Sequence, residues 1–283
     1  MGVNEPRPTP DWPETASVPV VPPAVGYLLS TLYDEDLSIR SLVTEVERFP
    51  SIAGRLLAVA NSAWSSPQTA VTRLPDACAR LGLKLVRTLS IALAVANTFD
   101  PLKCRGFDGE RYWATALLAA EGVTLLANGK GENEEALTWR GVALLHNIGL
   151  LWLADHCPQE TSTALLRDSG EGLVARMQDL MGTDFCRAGA WLTRAWGLPE
   201  VYPTVIGHHR DAGAAGDHFV AAAVVGVVAD MASELFRGDL WTVDRVPLDV
   251  RIHLPSDLAE STYQSLCAAL ADVRAMGRVI ATS

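Results

Sequence analysis

The sequence predicts an all-α protein built from two helical subdomains, and three observations carry that prediction. Apolar residues recur at helical spacing along nearly the whole chain. Prolines stand where new helices would begin and glycines where old ones would end. Period-2 alternation is confined to one weak stretch, "RVPLDVRIHL".

The helices follow in order. "PAVGYLLSTLYDED" sets Val25, Leu28, Leu29 and Leu32 on one face. "DLSIRSLVTEVERF" repeats the pattern with Ile39, Leu42, Val43 and Val46, and Ser38 is placed to cap its start. Pro50 opens "PSIAGRLLAVANSAW", since a first-turn residue needs no N–H. "LPDACARLGLKLVRTLSIALAVANTF" reads as a short helix, a break at Gly82 and a longer buried helix ending near Phe99. "DPLKCRGFDG" then gathers Asp, Pro and Gly into a connection between subdomains.

Beyond the connection come "ERYWATALLAAEGVTLLAN", "NEEALTWRGVALLHNIGLLWLADH", "PQETSTALLRDS", "EGLVARMQDLMG", "TDFCRAGAWLTRAWG", "LPEVYPTVIGHH" and "DHFVAAAVVGVVADMASELF". Pro158 and Pro199 mark starts, and Gly170, Gly182 and Gly197 mark stops. "LPSDLAESTYQSLCAALADVRAM" forms one further helix, placed either on the core or at a dimer interface. The resulting plan is a Pro-rich flexible lead-in at 1–17, a first helical subdomain at 18–104, a second at 105–238 and an extension at 239–283. No fixed-period repeat supports a solenoid.

Composition narrows the function. Half the chain is hydrophobic (49%), enough for a large core, and its longest apolar stretch, Phe219 to Ala229, is far short of the ~20 residues that cross a bilayer. The start has no basic segment followed by an apolar one, so it is not a secretory signal, and "MG" lacks the Ser or Thr of a myristoylation site. Five scattered cysteines without a CxxC pair read as free thiols of a cytoplasmic protein rather than a zinc site. A net charge of −10 without a basic run argues against nucleic acid as a partner, and no membrane association is expected. Phosphate-binding GxxxxGK[ST] loops, dinucleotide GxGxxG turns and GxSxG elbows are absent. "ENEE" near Glu132 suits a helix N-terminus. Trp113, Trp139, Trp152, Trp191 and Trp196 fall at core spacing.

Four residues carry metal-like chemistry: His146 in "LLHNIG", the adjacent His208 and His209, and Asp230 in "VVADMASEL". Neighbouring helical residues diverge by about 100°, so both histidines reach one point only where a helix ends. "DAGAAGD" allows such an end. A carboxylate on an apolar helical face is costly without a cation or donor to meet it.

"FPSIAGRLLAVANSAW", "VTRLPDACARLGLKLVRTLSIALAV", "LLHNIGLLWL" and "GTDFCRAGAWLTRAWGLPEVYPTVIGHH", in that order, closely resemble the HDOD domain from about Val18 to Phe236. That family is related to the HD metal phosphohydrolases and to the HD-GYP cyclic di-GMP phosphodiesterases, and the resemblance implies that the second subdomain is HD-like. In the catalytic relatives it implies an early His, a His–Asp pair, a later His, a His–His pair and a final Asp. Here the corresponding positions are Trp113, His146–Asn147, Phe185, His208–His209 and Asp230, with no Gly-Tyr-Pro following. Trp113, Asn147 and Phe185 therefore stand where metal ligands are lost. Hard divalent ions want anionic oxygens, and a two-metal hydrolase wants a bridging carboxylate. The expected product of these losses is a hydrogen-bonded network of His146, Asn147 and Asp230, with no cofactor. Any single ion would fall to His146, His208, His209 and Asp230.

The resemblance implies a cytoplasmic bacterial signalling or scaffold module without catalysis. It would act through a regulatory protein partner or a small-molecule or nucleotide ligand in the cleft near His146 and His208–His209. The competing expectation is a metal-dependent phosphodiesterase or nucleotide phosphohydrolase with an altered ligand set.

Overall fold

A computed structural model describes residues 38–61, 69–128, 134–166 and 172–282. The lead-in, the helix expected around Val25 to Leu32, "ENEE" through residue 133 and the stop at Gly170 lie outside the described residues.

Every regular element among the described residues is helical. The order is α1 (Ile39–Val46), α2 (Pro50–Ala60), α3 (Leu74–Leu81), α4 (Leu83–Ala96), α5 (Gly109–Asn128), α6 (Glu134–Leu145) and α7 (Ile148–His156). There follow α8 (Pro158–Leu166), α9 (Leu173–Met181), α10 (Phe185–Ala195), α11 (Val201–His208), α12 (Phe219–Arg237), α13 (Leu248–Arg251) and α14 (Ser256–Ala281). Short 3-10 turns join some of them.

Local chemistry explains the boundaries. The Ser38 hydroxyl accepts from the Ser41 N–H at 3.1 Å and caps α1, which buries Leu42, Val43 and Val46. Gly82 takes φ +79°, a conformation that costs a side chain dearly, and this separates α3 from α4. α4 stops at Ala96, a turn before Phe99, which is buried beyond the helix end. Asp184 caps α10 by accepting from the Cys186 and Arg187 N–H groups at 2.7 and 3.0 Å.

The weak strand signal is corrected. "RVPLDVRIHL" contains a 3-10 turn and the single turn of α13, with Pro247 directly before it. Val246, Val250 and Leu254 are buried at four-residue spacing, whereas Leu248 and Ile252 between them are 77% and 82% exposed. The alternation came from two exposed apolar residues, not from a pleat.

One connected hydrophobic core runs from Leu42 to Ile280. α5 is its axis, packed by α6, α12 and, along most of its length, α14. The last helix belongs to this core rather than standing free. Its Arg274 and Arg278 each reach the Glu110 carboxylate at 2.6 Å, and Gly277 lets the Glu110 carbonyl approach closely. α14 also touches α2 and α4, tying the early helices to the later ones.

Residues 212–237 are long and apolar enough to cross a membrane by length and composition, but 61% of the most apolar window is buried in the fold. The stretch is broken at Gly216 (φ +55°, ψ −125°), and α12 beyond it is a core helix. The cysteines are unpaired; Cys78, Cys104 and Cys186 are buried, but Cys157 is partly exposed and Cys267 exposed.

Candidate functional site

The apolar run "GVALLHNIGLLWL" is not one helix. α6 ends at Leu145, His146 and Asn147 form a turn, and α7 starts at Ile148. Just past this break, Gly149 sets how closely α7 can pack. A Cβ there would sit 2.1 Å from the Phe185 carbonyl oxygen and 2.4 Å from the Gly189 nitrogen, so α7 can meet α10 this closely only through glycine. The break turns His146 inward at the end of α6, where it is fully buried.

His146 and His209 face each other edge to face, with ring centroids 5.3 Å apart. His146 Nδ1 lies 2.6 Å from the Ala143 carbonyl, and His209 Nδ1 lies 2.9 Å from the Ile206 carbonyl. A carbonyl can only accept, so each neutral ring carries its proton on Nδ1 and leaves Nε2 as a bare acceptor. Both Nε2 atoms are buried without a hydrogen-bond partner, as is Asn147 Oδ1. Burial pushes the His146 pKa down to about 4, and the positive charge of Arg210 acts in the same direction. His209 is lowered well below the usual histidine range by burial, then by Arg210 and His146.

The other expected members are placed differently. α11 ends at the histidine pair, but only His209 turns inward; His208 is half-exposed. Asp230 is neither buried nor bonded to His146. Its side chain is 30% exposed and pairs with Arg210 at 4.0 Å and Arg245 at 3.6 Å. The expected network of His146, Asn147 and Asp230 is therefore replaced by a histidine pair on one side and an Asp–Arg cluster on the other. Arg245 continues that cluster to buried Glu234 at 2.9 Å, where Arg237 also binds. Phe185 is buried with its ring 6.1 Å from His209, filling the space beside the imidazole. Cys186 Sγ lies 4.0 Å from His209 Nδ1, but burial pushes this thiol up, so it is no thiolate nucleophile.

Asn147, Phe185 and Asp230 open onto one cavity of about 910 Å³. α5 enters it with Arg111 and Thr115, one turn apart on one face. Trp113 points elsewhere: it is buried edge-on against Tyr112 at 4.9 Å and does not line the cavity. Thr115, not Trp113, is thus the α5 residue of the two that faces the cavity. Sequence reasoning also passed over the arginines. Arg111, Arg176, Arg210 and Arg237 all line the cavity, against Asp108 and Asp230 as its carboxylates. A signal existed, since Asp230, Ser233 and Arg237 share one face of α12 and all three line the wall.

The inward donor set does not fit the two-metal centre of a hydrolase. It offers two neutral imidazoles and an amide oxygen, while Asp230 is not grouped with them and faces Arg245 at 3.6 Å and Arg210 at 4.0 Å. Among the described residues no group of three or more His, Cys, Asp or Glu is placed to hold an ion.

The chain thus combines an all-helical fold with an inward histidine pair at helix ends, close to a cavity. The HDOD domain profile matches residues 18–212, and the chain belongs to the HDOD domain family. Among solved structures, it is similar over 93% of its length to a candidate phosphohydrolase from Shewanella amazonensis, with 23% identity, TM-score 0.70 and 94% of that chain covered. An HDOD domain protein of unknown function from Geobacter sulfurreducens matches with 21% identity and TM-score 0.71, over 93% of each chain. A candidate signal transduction protein from Marinobacter aquaeolei matches with 20% identity and TM-score 0.74, over 93% of this chain and 60% of that one. Among curated proteins nothing matches the chain.

Proposed function

We propose that this HDOD protein is a non-catalytic regulatory module that passes on a signal through a protein partner or a small ligand held in the central cavity. The observation that carries this reading is the pairing of Asp230 with Arg245 at 3.6 Å, with the Arg210 guanidinium nearby at 4.0 Å. In a metal hydrolase such a carboxylate meets the ion; here the chain's own cations meet it. Asn147 supplies no charge, Phe185 no donor atom, and Thr115 only a neutral hydroxyl. The positive charge of Arg210, felt by both histidines, opposes a second cation at their Nε2 atoms.

The division into a first helical unit, an HD-like unit and an extension is proposed as the working plan, and a cytoplasmic setting fits the unpaired cysteines. The test is hydrolysis of phosphodiester and nucleotide substrates by the purified chain in Mn²⁺ or Fe²⁺. No product above buffer is expected. Turnover that disappears in His146→Ala would replace this reading with that of a metal-dependent phosphodiesterase.

A further inference from the structure

The central cavity combines features that together specify a ligand class. Its described lining holds four guanidinium groups against two carboxylates, in a chain whose net charge is −10. Positive charge is therefore gathered at one concave place in an acidic protein. The arginines are not all consumed by the fold. Arg237 is held by Glu234, and Arg176 Nε donates to the Ala164 carbonyl at 2.9 Å. Arg210 meets Asp230 only at 4.0 Å, the outer limit of an ion pair. Arg111 makes no ion pair among the described residues, and its guanidinium lies over the Phe236 ring, 5.9 Å from the centroid. Arg111 and Arg210 are thus positioned at the cavity with donors to give, and a guanidinium fork matches phosphate oxygens.

Apart from Thr115, Asn147 and Ser233, the remaining described lining is aromatic and apolar. Phe107 and Tyr112 lie with centroids 5.5 Å apart and both line the cavity, as does Phe185. Tyr112 and Phe185 are buried, so of these three rings Phe107, partly exposed, is the one with area to stack on a nucleobase. The volume of about 910 Å³ lies within the range of small-molecule sites, roughly 300–1,000 Å³, and is ample for a base, a sugar and phosphate.

We infer that the cavity binds a nucleotide intact, its phosphate on Arg111 and Arg210 and its base against Phe107. The inference rests on the non-catalytic reading above for the word intact; the ligand class rests on the lining alone. Recognition needs no metal bridge, because the guanidinium groups supply the charge.

Calorimetric titration of the full chain in EDTA tests it, with 5′-GMP, 5′-AMP, cyclic di-GMP, guanosine and inorganic phosphate as probes. At least one nucleotide should bind one per chain, with Kd at least about tenfold below those of guanosine and phosphate, and more weakly as salt rises. Arg111→Ala and Arg210→Ala should each weaken it by about tenfold or more. Arg194→Ala, which removes an exposed arginine paired with Glu200, should leave it unchanged. Arg111 is itself exposed, so its variant keeps the fold, as a thermal melt will verify. Absence of heat with every nucleotide overturns the ligand class and leaves the non-catalytic reading standing. Phosphate binding as tightly as the nucleotides overturns it too, by reducing the cavity to a small-anion site. Conversion of a bound nucleotide after adding Mn²⁺ overturns the non-catalytic reading while the ligand class stands.

Discussion

Acid should destabilise this protein through the buried histidines, and His146 gives the magnitude. Its ring is fully buried, and its pKa falls from an ordinary 6.5 to about 4 in the folded chain. Between those values the unfolded chain binds a proton that the folded chain refuses, so stability falls as pH falls. The contribution is complete above pH 6.5, and is lost progressively down to pH 4. A shift of that size corresponds to about 3 kcal/mol, of which roughly 2 kcal/mol is gone by pH 5. His209, lowered for the same reason, adds in the same direction. The assay is urea unfolding at intervals from pH 7.5 to pH 4.5, for the natural chain and for His146→Gln, whose amide does not titrate. Subtracting the two curves cancels the carboxylates common to both. The natural chain should lose about 2 kcal/mol more than the variant between pH 7 and pH 5. A difference between them that stays flat with pH would refute the claim that a neutral imidazole is locked at this position.

Other consequences are equally direct. Gly149→Ala places a methyl group 2.1 Å from the Phe185 carbonyl oxygen and should cost more than about 3 kcal/mol or abolish soluble expression. Gly54→Ala is the matched control: nothing lies within 4 Å of its added carbon, and in the interior of α2 it should raise stability by about 0.5–1 kcal/mol in thermal unfolding. Glu110→Gln removes the partner of Arg274 and Arg278 on α14 and should cost about 0.5–1 kcal/mol, less in high salt, as read by denaturant midpoints. Glu234→Gln leaves Arg237 and Arg245 without their buried carboxylate and should cost about 1.5–3 kcal/mol in the same measurement.

Much of this was legible in the residues, for physical reasons. The Ser38 cap, the Gly82 break and the burial of Leu42, Val43 and Val46 follow from local rules, while Ile39, expected on the same face of α1, is 39% exposed at the helix start. The break at His146–Asn147 was not legible. Both flanking helices are apolar around much of their circumference, so the hydrophobic phase shows no discontinuity where one ends and the other begins. The same uniformity hid the register of α5: Trp113 and Thr115 are both buried, and only the cavity on one side tells them apart. Asp230 misled because its cations come from residues 210 and 245, one on each side of α12 in the chain. A carboxylate among valines reads as buried until its long-range partners are known. The histidine pair divided for a simple reason: the helix ends there, but the end turned only His209 inward.

On the proposed non-catalytic reading, arginines stand where a hydrolase would hold its metal ion, near His146 and His209. Titration of the purified chain with Mn²⁺, followed by the free-ion signal in electron paramagnetic resonance, tests it most directly. Mn²⁺ should stay in solution, with the same signal for the natural chain and for His146→Ala. One ion held per chain, and released by His146→Ala, would contradict it.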